Sequence, residues 1–309
     1  MKRFLINILI LAIPLIVYLM IIVVVDPFNY LNVSKLVDDS VKFEISQEVS
    51  PHMYKLLDFE NNPRGKIVLG DSRSNGLYHC MDSTQWANLA YGGGSLKEMV
   101  QSFWWAAEIQ KLDTVLIGMD LNLYNKYNKR FYVEETIEAQ NNFFSYAFNK
   151  NIFRSTYMIL KSLVSKQKIS INETSMTKEE FWQFQLNETP EKFYKKITYP
   201  DNYYSNLLDI SEYCSENNVT LIFWIPPTHI DFQNSLEKYN IAKPKQKFLE
   251  DLMSLSELYD YNYPNEITMD DECFRDPLHF SHDVAIRIRE ELIEGKPFVA
   301  IHSVSAIIP

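Results

Sequence analysis

Lys66-Ile67-Val68-Leu69-Gly70-Asp71-Ser72-Arg73-Ser74 is the stretch on which the reading of the fold turns. A short apolar run stopped by glycine reads as a buried strand, and the polar residues after it fall where the chain turns into a helix. Downstream, Trp86-Ala87-Asn88-Leu89-Ala90 is a second candidate strand, ending in Tyr91-Gly92-Gly93-Gly94. Ser95 and Glu98 then form a capping box, hydroxyl and carboxylate each taking a backbone N–H at a helix start, and this helix is expected to reach about Gln110. Thr114–Gly118 and Val219–Ile225 supply two more strands, the latter the strongest in the chain. A helix ends near Asn217-Asn218, another crosses Asn234–Leu255, and a last one begins near Ser281. That last helix carries Val284, Ile288 and Leu292 on one stripe and stops at Gly295. Strands alternating with helices predict an α/β fold, a three-layer α/β/α sandwich around a mostly parallel, flavodoxin-like sheet.

The flanks differ in character. From about 123 to 200 the chain is rich in Asn, Lys, Tyr and Phe, with a helix expected at Ile152–Val164 and no strong strand. It reads as an insertion or lid within a domain spanning 64–309. Residues 27–63 read as a polar stalk or entry segment without clear periodicity. Before them, Met1-Lys2-Arg3 leads into Phe4–Val25, apolar except at Asn7, Pro14 and Tyr18. At about 1.5 Å rise per residue such a helix just crosses a hydrocarbon core of about 30 Å. A cleaved signal peptide would have an apolar region of roughly 7–15 residues ending at small residues. This one is longer and runs into Val25-Asp26-Pro27-Phe28, so residues 1–26 are expected to be an uncleaved single-pass transmembrane anchor. Lys2 and Arg3 would stay cytoplasmic, placing the rest outside the cell membrane.

With 46% apolar residues the chain can bury a large core. Its formal charge of −10 and lack of a basic run argue against a nucleic-acid partner. Cys80, Cys214 and Cys273 are odd in number and far apart, so neither a disulfide framework nor a metal site is implied. No metal and no cofactor is expected.

In open α/β sheets ligands bind beyond the carboxyl ends of the strands, where Gly70-Asp71-Ser72 stands. A serine there needs a base to become a nucleophile, and the base needs an acid to orient it. Asp276-Pro277-Leu278-His279, in a loop before the last helix, offers both. The two blocks together resemble the SGNH, or GDSL-type, hydrolase superfamily. Its members carry the nucleophile in Gly-Asp-Ser after the first strand and the acid and base in a C-terminal Asp-x-x-His. The resemblance covers roughly 64–124 and 203–295. It implies a catalytic set of Ser72, Asp276 and His279, with an oxyanion hole that includes the Ser72 N–H. Asn88–Gly94 resembles the block in which a glycine N–H contributes; Gly92, Gly93 or Gly94 could supply it, with Gly93 the nominal choice.

The family's next block, Gly-x-Asn-Asp, is altered here to Gly118-Met119-Asp120-Leu121-Asn122. An ionised Asp120 cannot donate where the family's asparagine does, so Asn122 is the alternative donor. The alteration resembles membrane-anchored branches that modify envelope polymers. It implies acyl transfer from an acyl donor to a cell-envelope or secreted glycan, beside a polytopic membrane O-acyltransferase partner. A tethered carbohydrate or lipid esterase, and a silent scaffold or glycan-binding module, are the competing functions. Arg73, Asp120 and His229 are candidate substrate contacts; the competing readings are an exposed helix-start arginine for Arg73 and an incidental histidine after a rigid Pro-Pro turn for His229. Ser74 is read as structural and His282 as a surface or capping residue. The aromatic cluster Phe143, Phe144, Tyr146 and Phe148 is read first as core. Asn172-Glu173-Thr174 is a glycosylation sequon of consequence only in a glycosylating host.

Overall fold

The computed structural model describes residues 2–125, 128, 130–165, 176–198 and 202–304, with side chains from Ile10 onward; the sequon at Asn172 lies outside them. Helix α1 (Lys2–Val25) is followed by α2 (Asp39–Val49) and α3 (Pro51–Asn61). Strand β1 (Lys66–Gly70), α4 (Ser72–Tyr78), β2 (Trp86–Ala90), α5 (Leu96–Ile109) and β3 (Thr114–Gly118) come next. Then come α6 (Tyr132–Gln140), α7 (Phe143–Ala147), α8 (Lys150–Ser165), α9 (Lys178–Tyr194) and α10 (Asn202–Glu216). The chain continues through β4 (Thr220–Ile225), α11 (Ile230–Ser235), α12 (Ala242–Leu255) and β5 (Glu257–Asp260). It closes with β6 (Phe274–Asp276), β7 (His279–Phe280), α13 (His282–Glu294) and β8 (Ile301–Ser303). Two compact units result, one of residues 1–62 with 132–174 and one of 63–131 with 175–309.

The second unit holds the sheet, in the order β2-β1-β3-β4-β5-β8. The first five strands are parallel and β8 is antiparallel to β5. That parallel order is flavodoxin-like, and its switch point lies between β1 and β3, where ligand crevices form in such sheets. Side chains alternate across a strand. Val68, Leu116, Ile222 and Trp224 accordingly pack against Leu77 of α4 and Val284, Ile288 and Leu292 of α13. The intervening Ile67, Leu69, Val115, Ile117, Leu221 and Phe223 are buried toward the opposite face, where α5, α10 and α12 pack. Full burial contributes roughly 1.5–3 kcal/mol for each large aliphatic side chain, which makes these two cores the main support of the sandwich.

The helix ends follow the sequence closely. The Ser95–Glu98 capping box is present, and Ser281 caps α13 while Gly295 closes it at φ +67°. Three expectations fail locally. The single helix expected over Asn234–Leu255 is broken, because Asn240 takes a left-handed conformation at φ +52° and α12 starts only at Ala242. Asp276 and His279 do not lie in a plain loop but on the short antiparallel pair β6–β7. The span 123–200 is not one insertion: 132–174 groups with the N-terminal residues, whereas α9 belongs to the sheet unit.

Ser74 interlocks the ends of β1 and β3. Its side chain is fully buried, and a Cβ placed on Gly70 or Gly118 would come within 2.1 or 1.9 Å of its hydroxyl oxygen. Gly70 also holds φ +141°, which other residues resist. Gly118→Ala is therefore expected to cost about 1–3 kcal/mol by overpacking, read as a lower urea midpoint. Adding Ser74→Ala removes the obstructing oxygen and should restore part of the loss. An unimproved midpoint in the double variant would rule out this interlock.

The first unit is helical. Residues 27–63 are not an irregular stalk, because Asp38 caps α2 and Ser50, followed by Pro51 at the first helical position, starts α3. Ile22, Phe28, Met53, Leu57, Tyr146 and Ile152 form its core. Tyr146 is thus core, as read, whereas Phe144 and Phe148 of the same aromatic cluster are exposed. Asp26 is buried where the chain leaves α1, and its carboxylate accepts the amides of Tyr30, Leu31 and Asn32 at 2.8–3.1 Å. Among the described residues no helix is long and apolar enough to cross a membrane.

Candidate active site

Ser72 is the first residue of α4, placed at the switch point by β1 and by the turn at Gly70. Asp71 caps the helix by accepting the Arg73 amide at 2.8 Å, which directs Ser72 away from the sheet. The Ser72 Oγ lies 2.7 Å from His279 Nε2. His279 Nδ1 lies 2.8 and 3.0 Å from the two oxygens of Asp276. An ionised carboxylate only accepts, so Nδ1 carries the ring proton and Nε2 offers its lone pair to the serine hydroxyl. The Leu278 and His279 amides donate to Asp276 Oδ1 at 2.9 and 3.2 Å. Burial pushes the Asp276 carboxyl up, but the hydrogen bond and charge of His279, with those amides, hold it below the ordinary value. Ser72, His279 and Asp276 are thus brought together from opposite ends of the domain.

A cavity of about 300 Å³ opens in front of Ser72 and His279, and Gly93 and Asn122 border it too. The Gly94 amide is committed to the Tyr91 carbonyl at 2.8 Å. Gly93, at φ +64°, borders the cavity as well, and its amide makes no backbone hydrogen bond among the described residues. Asn122 is buried, and its side chain makes no hydrogen bond among the described residues. It remains available to a ligand in the cavity.

Arg73, Asp120 and His229, the candidate substrate contacts of the sequence, are each engaged by protein groups. Arg73 is 3% exposed, not an exposed helix-start residue. Its Nε donates to Asp71 at 3.0 Å and its Nη1 to Asp120 Oδ2 at 2.8 Å. Asp120 also accepts the Asn122 amide at 2.8 Å and the Tyr194 hydroxyl at 3.0 Å, leaving its carboxylate saturated by protein donors. Burial disfavours charge on Asp71 and Arg73, yet their mutual attraction outweighs it, lowering the carboxyl and raising the guanidinium. Burial, with the Asp120 charge, keeps Tyr194 protonated and able to donate. His229 is buried against Trp182 and Phe274 and caps α11 by accepting the Asp231 amide at 3.2 Å. Its own amide donates to the Pro277 carbonyl at 2.8 Å, which ties this turn to the segment carrying Asp276 and His279. His282 is exposed beside Cys80, with its Nδ1 3.5 Å from the sulfur.

The far wall of the cavity was missed by sequence reading. Gln185, Thr189 and Lys192, one stripe of α9, face it together with Phe184, Glu188 and Phe193. The signal was present: Thr177 and Glu180 form a capping box at the start of α9.

No protein-family model matches the chain, and no curated protein matches it in sequence. Among solved structures it is similar to a proposed platelet activating factor from Streptococcus pneumonia, with a TM-score of 0.42 at 11% identity over 84% of this chain and 95% of the other. It is also similar to a proposed acylhydrolase from Bacteroides fragilis, with a TM-score of 0.41 at 11% identity over 80% and 95% of the two chains.

Proposed function

We propose that this protein is a serine acyl-transfer enzyme that acylates a cell-envelope or secreted glycan from outside the cytoplasm. The observation that carries the reading is the 2.7 Å contact between Ser72 Oγ and His279 Nε2, with Asp276 on the other ring nitrogen. In this reading His279 takes the hydroxyl proton as Ser72 Oγ attacks the acyl carbonyl of the donor. Asp276 stabilises the imidazolium, and the Ser72 and Gly93 amides with Asn122 receive the developing oxyanion. Collapse returns the proton to the departing oxygen and leaves acyl-Ser72. A glycan hydroxyl, deprotonated by His279, then takes the acyl group and frees Ser72. Water in place of the glycan would make the protein an esterase. The altered third block and its resemblance to envelope-polymer modifiers favour transfer, with an O-acyltransferase supplying the acyl group across the bilayer.

Membrane attachment through residues 1–26 belongs to the same proposal. It is supported by the largely apolar sequence of α1, whose Leu11, Ile16 and Met20 are exposed. A second surface points the same way. Helix α8 buries Ile152 and Ile159 yet also turns Phe153, Tyr157, Leu160 and Val164 outward, an exposed apolar surface that favours an apolar environment.

The test is to incubate the full chain in detergent with an activated acetyl ester and map adducts by mass spectrometry. An acetyl group on the peptide carrying Ser72, passed to an oligosaccharide faster than to water, is the expected result. No adduct with any donor would overturn the enzyme reading and favour a glycan-binding scaffold. Attachment is tested separately: extraction of the protein from membranes by alkaline carbonate would exclude an integral anchor.

A further inference from the structure

The Ser72–His279 pair is flanked by a second cavity, of about 170 Å³, on the side away from α9. Ser72 and His279 form one wall, and Asn75, His79, Arg275 and His282 stand around the rest. No carboxylate borders it, in a chain with 40 acidic and 30 basic residues.

Arg275 distinguishes this space from an ordinary cleft. It is the middle residue of β6, and strand alternation buries Phe274 and Asp276 on one side while sending Arg275 to the other. Asp276, its neighbour, is occupied by His279 and two amides. Among the described residues Arg275 has no ion pair or hydrogen bond. Other arginines are engaged: Arg289 pairs with Glu294 at 3.0 Å, and Arg287 lies 3.9 Å over the Phe298 ring. Arg73 also borders the space, but it is already paired with Asp71 and Asp120. The cavity beside the nucleophile therefore presents one uncompensated guanidinium, whose planar fork fits a carboxylate or phosphate. His282 also borders the space, and a ring N–H of its imidazole can donate to an anion.

We propose that this second cavity is the subsite for an anionic group of the acceptor, a carboxylate or phosphate close to the hydroxyl that is acylated, held by Arg275 with His282. The proposal rests on the acyl-transfer reading and narrows its substrate to acidic glycans. The donor then approaches from the larger cavity, so the two substrates meet Ser72 from opposite sides.

The test is equilibrium binding by calorimetry, which does not depend on turnover. Full-length Ser72→Ala protein in detergent is titrated with a uronate oligosaccharide, a phosphodiester-linked sugar oligomer and a neutral oligosaccharide. An acidic ligand is expected to bind at least tenfold more tightly than the neutral one. Adding Arg275→Gln should weaken that binding roughly 10- to 100-fold, as for one lost charge-assisted contact, while leaving the neutral ligand unaffected. The uronate and phosphodiester arms identify which anion is used. Equal binding of acidic and neutral ligands, or no effect of Arg275→Gln, overturns the subsite. Acetylation of Ser72 in the unsubstituted chain is scored separately, so failure of the subsite is distinguishable from failure of the enzyme reading.

Discussion

Ser72→Ala is expected to lower turnover of a chromogenic acetyl ester by on the order of 10⁶-fold, to a residual rate left by binding and the oxyanion donors. The size follows from the geometry. The His279 lone pair has one hydroxyl within reach, at 2.7 Å, and the neighbouring Ser74 is fully buried toward Gly70 and Gly118 and cannot substitute. His279→Ala should cost about as much, and the double variant little more, because nucleophile and base act as one unit. Asp276→Asn should be milder, about 10⁴-fold, since it spoils the tautomer but keeps the ring in place. Steady-state kinetics on the four variants decide the matter. A Ser72→Ala protein within tenfold of the parent would show that the acyl group never passes through this serine.

The largest stability effect is expected at Arg73→Met. The guanidinium is buried between Asp71 and Asp120, so its removal strands two buried carboxylates, a loss of about 3–5 kcal/mol. Asp120→Asn should cost less, because a neutral amide still accepts from Arg73 and leaves Asp71 paired. Urea denaturation of the folded chain measures both. A loss below about 1 kcal/mol for Arg73→Met would mean that the carboxylates find water or other donors once the guanidinium is gone.

Much of this site was legible before the structure. Gly70-Asp71-Ser72 and Asp276-x-x-His279 are local patterns, each set beside elements with strong local signals. The four strands that carry apolar runs were readable for the same reason. Strand β5 was not: of Glu257-Leu258-Tyr259-Asp260 only Leu258 is buried, and pairing with β4 makes it a strand. Arg73 was misread because the partner that buries it stands 47 positions away, at Asp120. His229 followed the strongest strand, which made it look exposed to the site. Its side chain is instead buried against Trp182 and Phe274 and caps α11, contacts made by residues distant in sequence or by a short helix start. The break at Asn240 turns on one residue's left-handed conformation, a choice the apolar stripe on either side does not report.

The carboxylate of Asp120 meets Arg73, the Asn122 amide and the Tyr194 hydroxyl at once. Positions 73 and 120 are therefore unequal in what they permit a lineage to change. Asparagine at 120 leaves the arginine paired with Asp71, whereas losing the arginine first leaves two buried carboxylates without their counterpart. Descendants are thus expected to vary at 120 before they vary at 73.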